Sequence, residues 1–230
     1  MSIINKIAPS IICCNYLKLQ DQLKTLESCG IKTLHVDVMD GNFVKQITIG
    51  SDFLRACKCG SKMFMDVHLM VNSPINHIEE FVDAGADCIT FHYEACKDLK
   101  EVVDTVKKIK SFGIESGIAI QPDTPADVFM TILEACKIDK ILVMSVQAGL
   151  SGQSFKLESI EKVQKISEII GLFGLGGKIK IEIDGGINKK TLQLIKNENV
   201  DIDIDLFVVG SATFKDGKIE ENLDAIANLV

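Results

Sequence analysis

Arginine is nearly missing from this 230-residue chain: of its 25 basic residues, every one but Arg55 is lysine. A single guanidinium excludes a bidentate arginine cluster for phosphate or carboxylate, so a phosphate site here has to be built from backbone N–H groups. Positive charge is scarce as a whole. The net charge is −7, which gives no electrostatic footprint for nucleic acid or for an anionic membrane surface. No apolar run approaches the length of a membrane span. The opening Met1-Ser2-Ile3-Ile4-Asn5-Lys6 lacks the basic n-region of a leader, and Pro9 and Ser10 interrupt the apolar stretch behind it, so neither a signal nor a transit peptide is expected. Without that context the eight cysteines (13, 14, 29, 57, 59, 88, 96 and 136) read as reduced thiols rather than a disulfide framework. Cys57-Lys58-Cys59 has one residue between its thiols, too few for a zinc half-site. The expected compartment is the cytoplasm.

A dinucleotide fingerprint is missing too, since no Gly-x-Gly-x-x-Gly follows the first strand-like run. Gly171–Gly177 with Lys178 is no phosphate loop: it follows a helical pattern, its spacing is wrong, and Ile179 stands where Ser or Thr is required. It reads as a connector.

What the chain does have is alternation. Apolar residues make up 47% of it, enough for one domain over 1–230 with a sizeable core. Short β-branched runs fall near 7–12, 33–39, 63–69, 88–93, 115–120, 140–146, 178–184 and 206–211. Between them lie amphipathic patterns at Leu17–Cys29, Pro74–Ala84, Leu99–Phe112, Pro125–Cys136, Phe155–Ile170, Lys189–Lys196 and Glu220–Leu229. Strict strand–helix alternation predicts a parallel sheet, and eight units in this length predict an α/β fold closed as a (β/α)8 TIM barrel.

Successive side chains in a strand face opposite ways. In the second run Leu34, Val36 and Val38 share one face, and Thr33, His35, Asp37 and Met39 the other. The third run sets Met63, Met65, Val67 and Leu69 against Phe64, Asp66, His68 and Met70; the seventh sets Ile179, Ile181 and Ile183 against Lys180, Glu182 and Asp184. The apolar faces belong under the helices, so the ionisable faces point into the barrel. His35, Asp37, His68 and Asp184 fall at or near the C-terminal strand ends, where barrel active sites are built. One inward His or Asp alone is an ordinary hydrogen-bonded core group, but four converging without a cation would be costly. Two imidazoles and two carboxylates suit one divalent ion, Zn, Fe, Mn or Co, better than Mg. Asp66 is placed to orient a ligand, His92 to sit in the core or behind the site, and His77 on the surface. For phosphate, Asp184-Gly185-Gly186, Gly210-Ser211, Gly149 and Gly152 put exposed amides after strands seven, eight and six.

The segments His35-Val36-Asp37-Val38-Met39-Asp40-Gly41, Asp66-Val67-His68-Leu69-Met70, Ile183-Asp184-Gly185-Gly186-Ile187 and Val209-Gly210-Ser211-Ala212 resemble ribulose-phosphate 3-epimerase over essentially the whole chain. The resemblance implies a barrel of the ribulose-phosphate-binding type, a metal held by His35, Asp37, His68 and Asp184, and Asp37 and Asp184 as the acid/base pair. It implies Ser10 and His68 as substrate contacts, Met39, Met70 and Met144 as walls around the intermediate, and Gly149, Leu150, Ser151, Gly152, Gly185, Gly186, Gly210 and Ser211 around the phosphate. The activity implied is metal-dependent epimerisation of D-ribulose and D-xylulose 5-phosphates at C3 through an enediolate, a pentose phosphate step, by a homo-oligomer. Two stretches depart from the family. Gln147-Ala148-Gly149-Leu150-Ser151-Gly152-Gln153 stands where the family usually reads Glu-Pro-Gly-Phe-Gly-Gly-Gln, and Asn42, Lys45 and Gln46 where His, Pro and Asn are common. Two other classes share such a barrel. A phosphate-sugar decarboxylase would need a lysine in place of His68, and a non-catalytic metal- or sugar-phosphate-binding barrel would have no use for paired aspartates.

Overall fold

The computed structural model describes residues 3–149, 153–197 and 204–230. Eight parallel strands, β1 (Ile7–Pro9), β2 (Thr33–Met39), β3 (Phe64–Met70), β4 (Cys88–His92), β5 (Glu115–Ile120), β6 (Lys140–Met144), β7 (Lys180–Asp184) and β8 (Leu206–Val209), form one sheet in the order β1-β8-β7-β6-β5-β4-β3-β2. A bridge from Ser10 to His35 joins the first strand's end to β2, so the sheet closes on itself as the alternation predicts. The helices are α1 (Leu19–Ser28), α2 (Ser51–Gly60), α3 (Ile78–Asp83), α4 (Leu99–Ser111), α5 (Val128–Ala135), α6 (Glu158–Leu172), α7 (Lys189–Asn197), α8 (Ser211–Phe214) and α9 (Ile219–Ala227).

The strand faces sort as the sequence predicts. Leu34, Val36, Met65, Val67, Ile89, Phe91, Ile118, Ile141, Val143 and Ile183 are buried against the helix ring in one continuous apolar layer, each contributing roughly 1.5–3 kcal/mol by leaving water. Inside the barrel, Ala119, Leu142 and Met144 form a small separate apolar cluster. The remaining interior positions are largely polar, and strand register stacks them: His35 beside Asp66, Asp37 beside His68, Met39 beside Met70 across β2 and β3, and Leu142 beside Glu182 and Met144 beside Asp184 across β6 and β7.

Several strand boundaries and two helices, α2 and the short α8, differ from expectation, and among the strands β6 ends at Met144 rather than 146. β1 ends at Pro9 because the fixed proline ring and the short 3-10 turn Ile11–Cys13 break the ladder. β8 ends at Val209, and Ser211 opens α8. β7 starts at Lys180, whose ammonium reaches Glu115 at the outer rim rather than the interior. Helix α2 lacks a strong sequence signature. Its buried stripe is only Leu54 and Cys57, it starts at Gly50 without a side-chain cap, and it ends in Cys59-Gly60. Of Gly171–Gly177, Gly171 and Leu172 end α6 and the rest lies in the connection to β7 at the N-terminal end of the barrel, and no disulfide forms among the described residues.

Candidate active site

The C-terminal ends of β2, β3 and β7 carry Asp37, His68 and Asp184, with His35 one layer deeper. Ligand-type atoms of all four lie within 4.8 Å of one another. Asp37 is the hub: its Oδ1 is 3.0 Å from His68 Nδ1 and 3.3 Å from His35 Nε2, while Ser10 Oγ donates to its Oδ2 at 2.5 Å. Asp184 Oδ2 lies 4.0 Å from His68 Nδ1. On the far side of the ring, His68 Nε2 is 2.9 Å from His92 Nε2, and His92 Nδ1 is 3.2 Å from Glu94 Oε2. His92 therefore stands behind His68, with Phe43 packed on its ring at 4.9 Å. His77 lies at the start of α3, partly exposed near Glu80.

The electrostatics are those of a set wanting a cation. Burial opposes charge on Asp37, yet His35 and His68 hold its carboxyl well below the usual range. Burial, and then the charge of Asp37, push Asp184 up to about 7. Burial drives His68 down to about 4 against the pull of Asp37. For His35 burial also opposes protonation, but Asp37, Asp66 and Glu182 hold the imidazole well above its ordinary value. His35 Nε2 is fully buried and has no hydrogen-bond partner, which is where a metal ion and a proton compete for one lone pair. The N₂O₂ donor set, this orphaned nitrogen and the common spacing fit one divalent cation.

A layer below, Asp66 Oδ2 lies 3.0 Å from His35 Nδ1. Sequence reasoning did not find what Asp66 meets there: the ammonium of Lys140, buried inside the barrel, pairs with Asp66 Oδ1 and, at 2.7 Å, with Glu182 Oε2. The signal exists, since alternation in β6 puts Lys140 on the face of Leu142 and Met144.

Above the ligand set opens a cavity of about 440 Å³. Of the expected substrate contacts, Ser10, Met39, Met70, Met144, Gly149, Gly185, Gly186, Gly210 and Ser211 line it with Asp37 and Asp184, while His35 and His68 sit beneath. Leu150, Ser151 and Gly152 lie outside the described residues. Gln46, Gln153 and Asn188 line the cavity as well, unanticipated. Arg55 is on α2 with its guanidinium on the Asp83 carbonyl, away from the pocket. The departing loop after β6 is anchored on both sides. Gln147 donates to Asp123, Ala148 N–H to Gln121, and Gln153 to the Gln147 carbonyl. Gly149 has φ +82, and a Cβ there would fall 2.4 Å from Val44, so the loop seats on the β2 loop only because residue 149 is glycine. In that β2 loop, Asp40 accepts from the N–H groups of Asn42, Phe43 and Asn72.

Comparison with known proteins fixes first the fold and then the family. Solved structures of 3-keto-L-gulonate-6-phosphate decarboxylase from Vibrio cholerae (TM-score 0.69, 14% identity, covering 97% of this chain and 96% of that one) and of 3-hexulose-6-phosphate synthase from Salmonella typhimurium (TM-score 0.61, 15%, 97% and 97%) have the same barrel. The model of the Ribulose-phosphate 3 epimerase family matches residues 6–214. The ribulose-phosphate 3-epimerases of Chlamydia muridarum (37% identical, 93% of this chain and 90% of the relative), Bacillus subtilis (34%, 91% and 92%) and Schizosaccharomyces pombe (33%, 98% and 93%) are similar over nearly their whole lengths. The chain belongs to the ribulose-phosphate 3-epimerase family.

Proposed function

We propose that this chain epimerises D-ribulose 5-phosphate and D-xylulose 5-phosphate at C3, with Asp37 and Asp184 as its two proton carriers. The observation that carries the reading is that both aspartates reach one cavity from β2 and β7, three steps apart around the ring. Inverting a carbon beside a ketone means taking its proton from one face and returning one to the other, so two groups are needed. One carboxylate starts ionised and accepts the C3 proton; the other starts protonated and donates to the opposite face. After a turnover the two have exchanged states, and the reverse reaction restores them. A divalent ion held by His35, Asp37, His68 and Asp184 would polarise the ketone and offset the charge gained when C3 loses its proton. Ser10 steadies Asp37 through its hydroxyl. Met39, Met70 and Met144 wall the cavity with apolar surface that limits water around the enediolate. In the absence of any arginine at the pocket, the phosphate would be gripped by backbone N–H groups around Gly185, Gly186, Gly210 and Ser211, joined by the loop from Gly149 to Gly152.

The decarboxylase reading finds no support at the site, because the lysine it requires is His68, and Lys140 does not border the cavity. An assay of ribulose/xylulose 5-phosphate interconversion on protein loaded in turn with Zn, Mn, Fe or Co tests the activity and selects the metal. A chain that turns over neither sugar phosphate with any of these ions would sink the proposal. Cytoplasmic location and self-association belong to the same reading; sedimentation of the purified chain tests the latter. No helix among the described residues is long and apolar enough to cross a membrane.

A further inference from the structure

Below the four-residue set lies a second one. His35, Asp66 and Glu182 also bring three ligand-type atoms within 4.8 Å of one another, all fully buried. Here the cation is supplied by the chain, since Lys140 Nζ is in contact with both carboxylates. The barrel reserves room for it. In β5, Gly117 lies beside Lys140 in register, and a Cβ at 117 would fall 2.3 Å from Thr90 Oγ1 and 3.2 Å from Lys140 Cε. A side chain at 117 would clash with Thr90 and crowd the lysine stem. The groups facing the ammonium are Asp66 of β3 and Glu182 of β7, with Cys88 and Thr90 of β4 alongside.

His35 spans the two sets. Its Nδ1 lies 3.0 Å from Asp66 and 3.5 Å from Glu182, and its Nε2 lies 3.3 Å from Asp37. We propose that Lys140 is a positioning residue for the metal centre: its ammonium fixes Asp66 and Glu182 as acceptors beneath His35, so that the imidazole keeps its proton on Nδ1 and presents the Nε2 lone pair to the upper set. A ligating histidine is tuned by what its other nitrogen meets. In this chain that partner is held in turn by a lysine. The inference rests on the metal reading above.

The test uses the full chain with cobalt(II) as the probe, reading affinity by equilibrium dialysis and coordination by the visible absorption band. Wild-type protein should take up one Co²⁺. Lys140→Met should bind it about 10- to 100-fold more weakly, with an altered band, and should lose kcat at saturating metal while KM stays within about twofold, because the phosphate grip lies elsewhere. If that variant does not fold, Lys140→Met/Glu182→Met removes one charge of each sign and preserves the net charge of the cage. It should still bind cobalt weakly and with the altered band. Native affinity and a native band in the double variant would mean that the lysine only balances charge, and would overturn the proposal. In the unaltered zinc-loaded chain, ¹⁵N shifts should report His35 coordinated through Nε2 and protonated at Nδ1; the reverse would overturn it too. A wild-type chain that takes up no cobalt or zinc would instead overturn the metal reading itself, and the proposal with it.

Discussion

Two rings of charge are stacked inside this barrel and share one histidine. The lower ring, His35 Nδ1 with Asp66, Glu182 and Lys140, contains its own cation; the upper ring, His35 Nε2 with Asp37, His68 and Asp184, has no lysine or arginine among the described residues that line it. In each set the ligand-type atoms fall within 4.8 Å of one another, but the lower set is fully buried while Asp184 of the upper one is partly exposed, so the difference is one of access. The lower ring has no opening to solvent and is closed by a side chain of fixed position. The upper ring faces a cavity that can admit an ion and a substrate. Burial of like charges is tolerable in both, but only the upper one leaves the balancing charge to be exchanged, and that is where chemistry can happen.

The widest separation between the rings should appear on removing their carboxylates. Asp37→Asn and Asp184→Asn should each lower kcat/KM by at least about 10²–10⁴-fold, whereas Asp66→Asn should act through metal affinity, weakening it about 10- to 100-fold. Steady-state rates at saturating metal, with solvent-deuterium exchange at C3 to assign each half-reaction, measure this; equal losses at saturating metal for Asp66→Asn and Asp184→Asn would erase the distinction. A substitution outside both rings is the next probe. Gly210→Val brings a side chain against Cys13, whose Sγ would lie 3.0 Å from its Cβ, and should raise KM for the sugar phosphate about tenfold or more while leaving metal content unchanged.

Acidity distinguishes the rings as well. In metal-free protein, burial and then Asp37 raise Asp184 to about 7, and His35 is raised well above 6.5 despite its burial. Both groups bind protons more tightly folded than unfolded. The stability they contribute is therefore present at low pH and is lost as pH rises through their folded values. Between pH 6.5 and 8 the urea midpoint of chelator-treated protein should fall, and that of metal-loaded protein should stay nearly level; a rise in the chelated sample would contradict the assignment. A smaller effect is expected in the lower ring from Gly117→Ala, which crowds Thr90 and the Lys140 stem and should destabilise by about 1–3 kcal/mol in denaturant titration. Arg55→Ala, on the surface of α2, should change KM less than about twofold; a phosphate-like KM defect there would remove the case for a backbone grip.

Legibility follows the same division. The upper ring is readable because His35, Asp37, His68 and Asp184 interrupt strongly apolar alternation at strand ends, and because their segments resemble one family. Lys140 escapes because it follows Lys137-Ile138-Asp139 and looks like the polar lead-in to a strand, although alternation in β6 puts it on the inward face; its pairing beside Gly117 and its contact with Asp66 place the ammonium inside the barrel. Gly117 gives no warning for the same reason, as the need for a missing side chain is visible only from across the sheet. Helix α2 is hidden by a narrow apolar stripe containing a cysteine, while α4, with Asp98 capping its first turn and Val102, Val106 and Ile109 in line, is plain. The cavity lining by Gln46, Gln153 and Asn188 depends on loop paths that no periodicity encodes.

The seam of the barrel carries a consequence for synthesis. β1 is three residues long, and it is held on one side by β8, Ile7 against Phe207 and Pro9 against Val209, and on the other by the bridge from Ser10 to His35. Ser10 reaches Asp37 only when this seam is shut, so a site drawn mostly from the first third of the chain has to wait for its last strand. A ribosome-bound chain lacking β8 would carry His35, Asp37 and His68 without the strand that braces β1 beside them, and the competent centre would arise only once β8 has emerged.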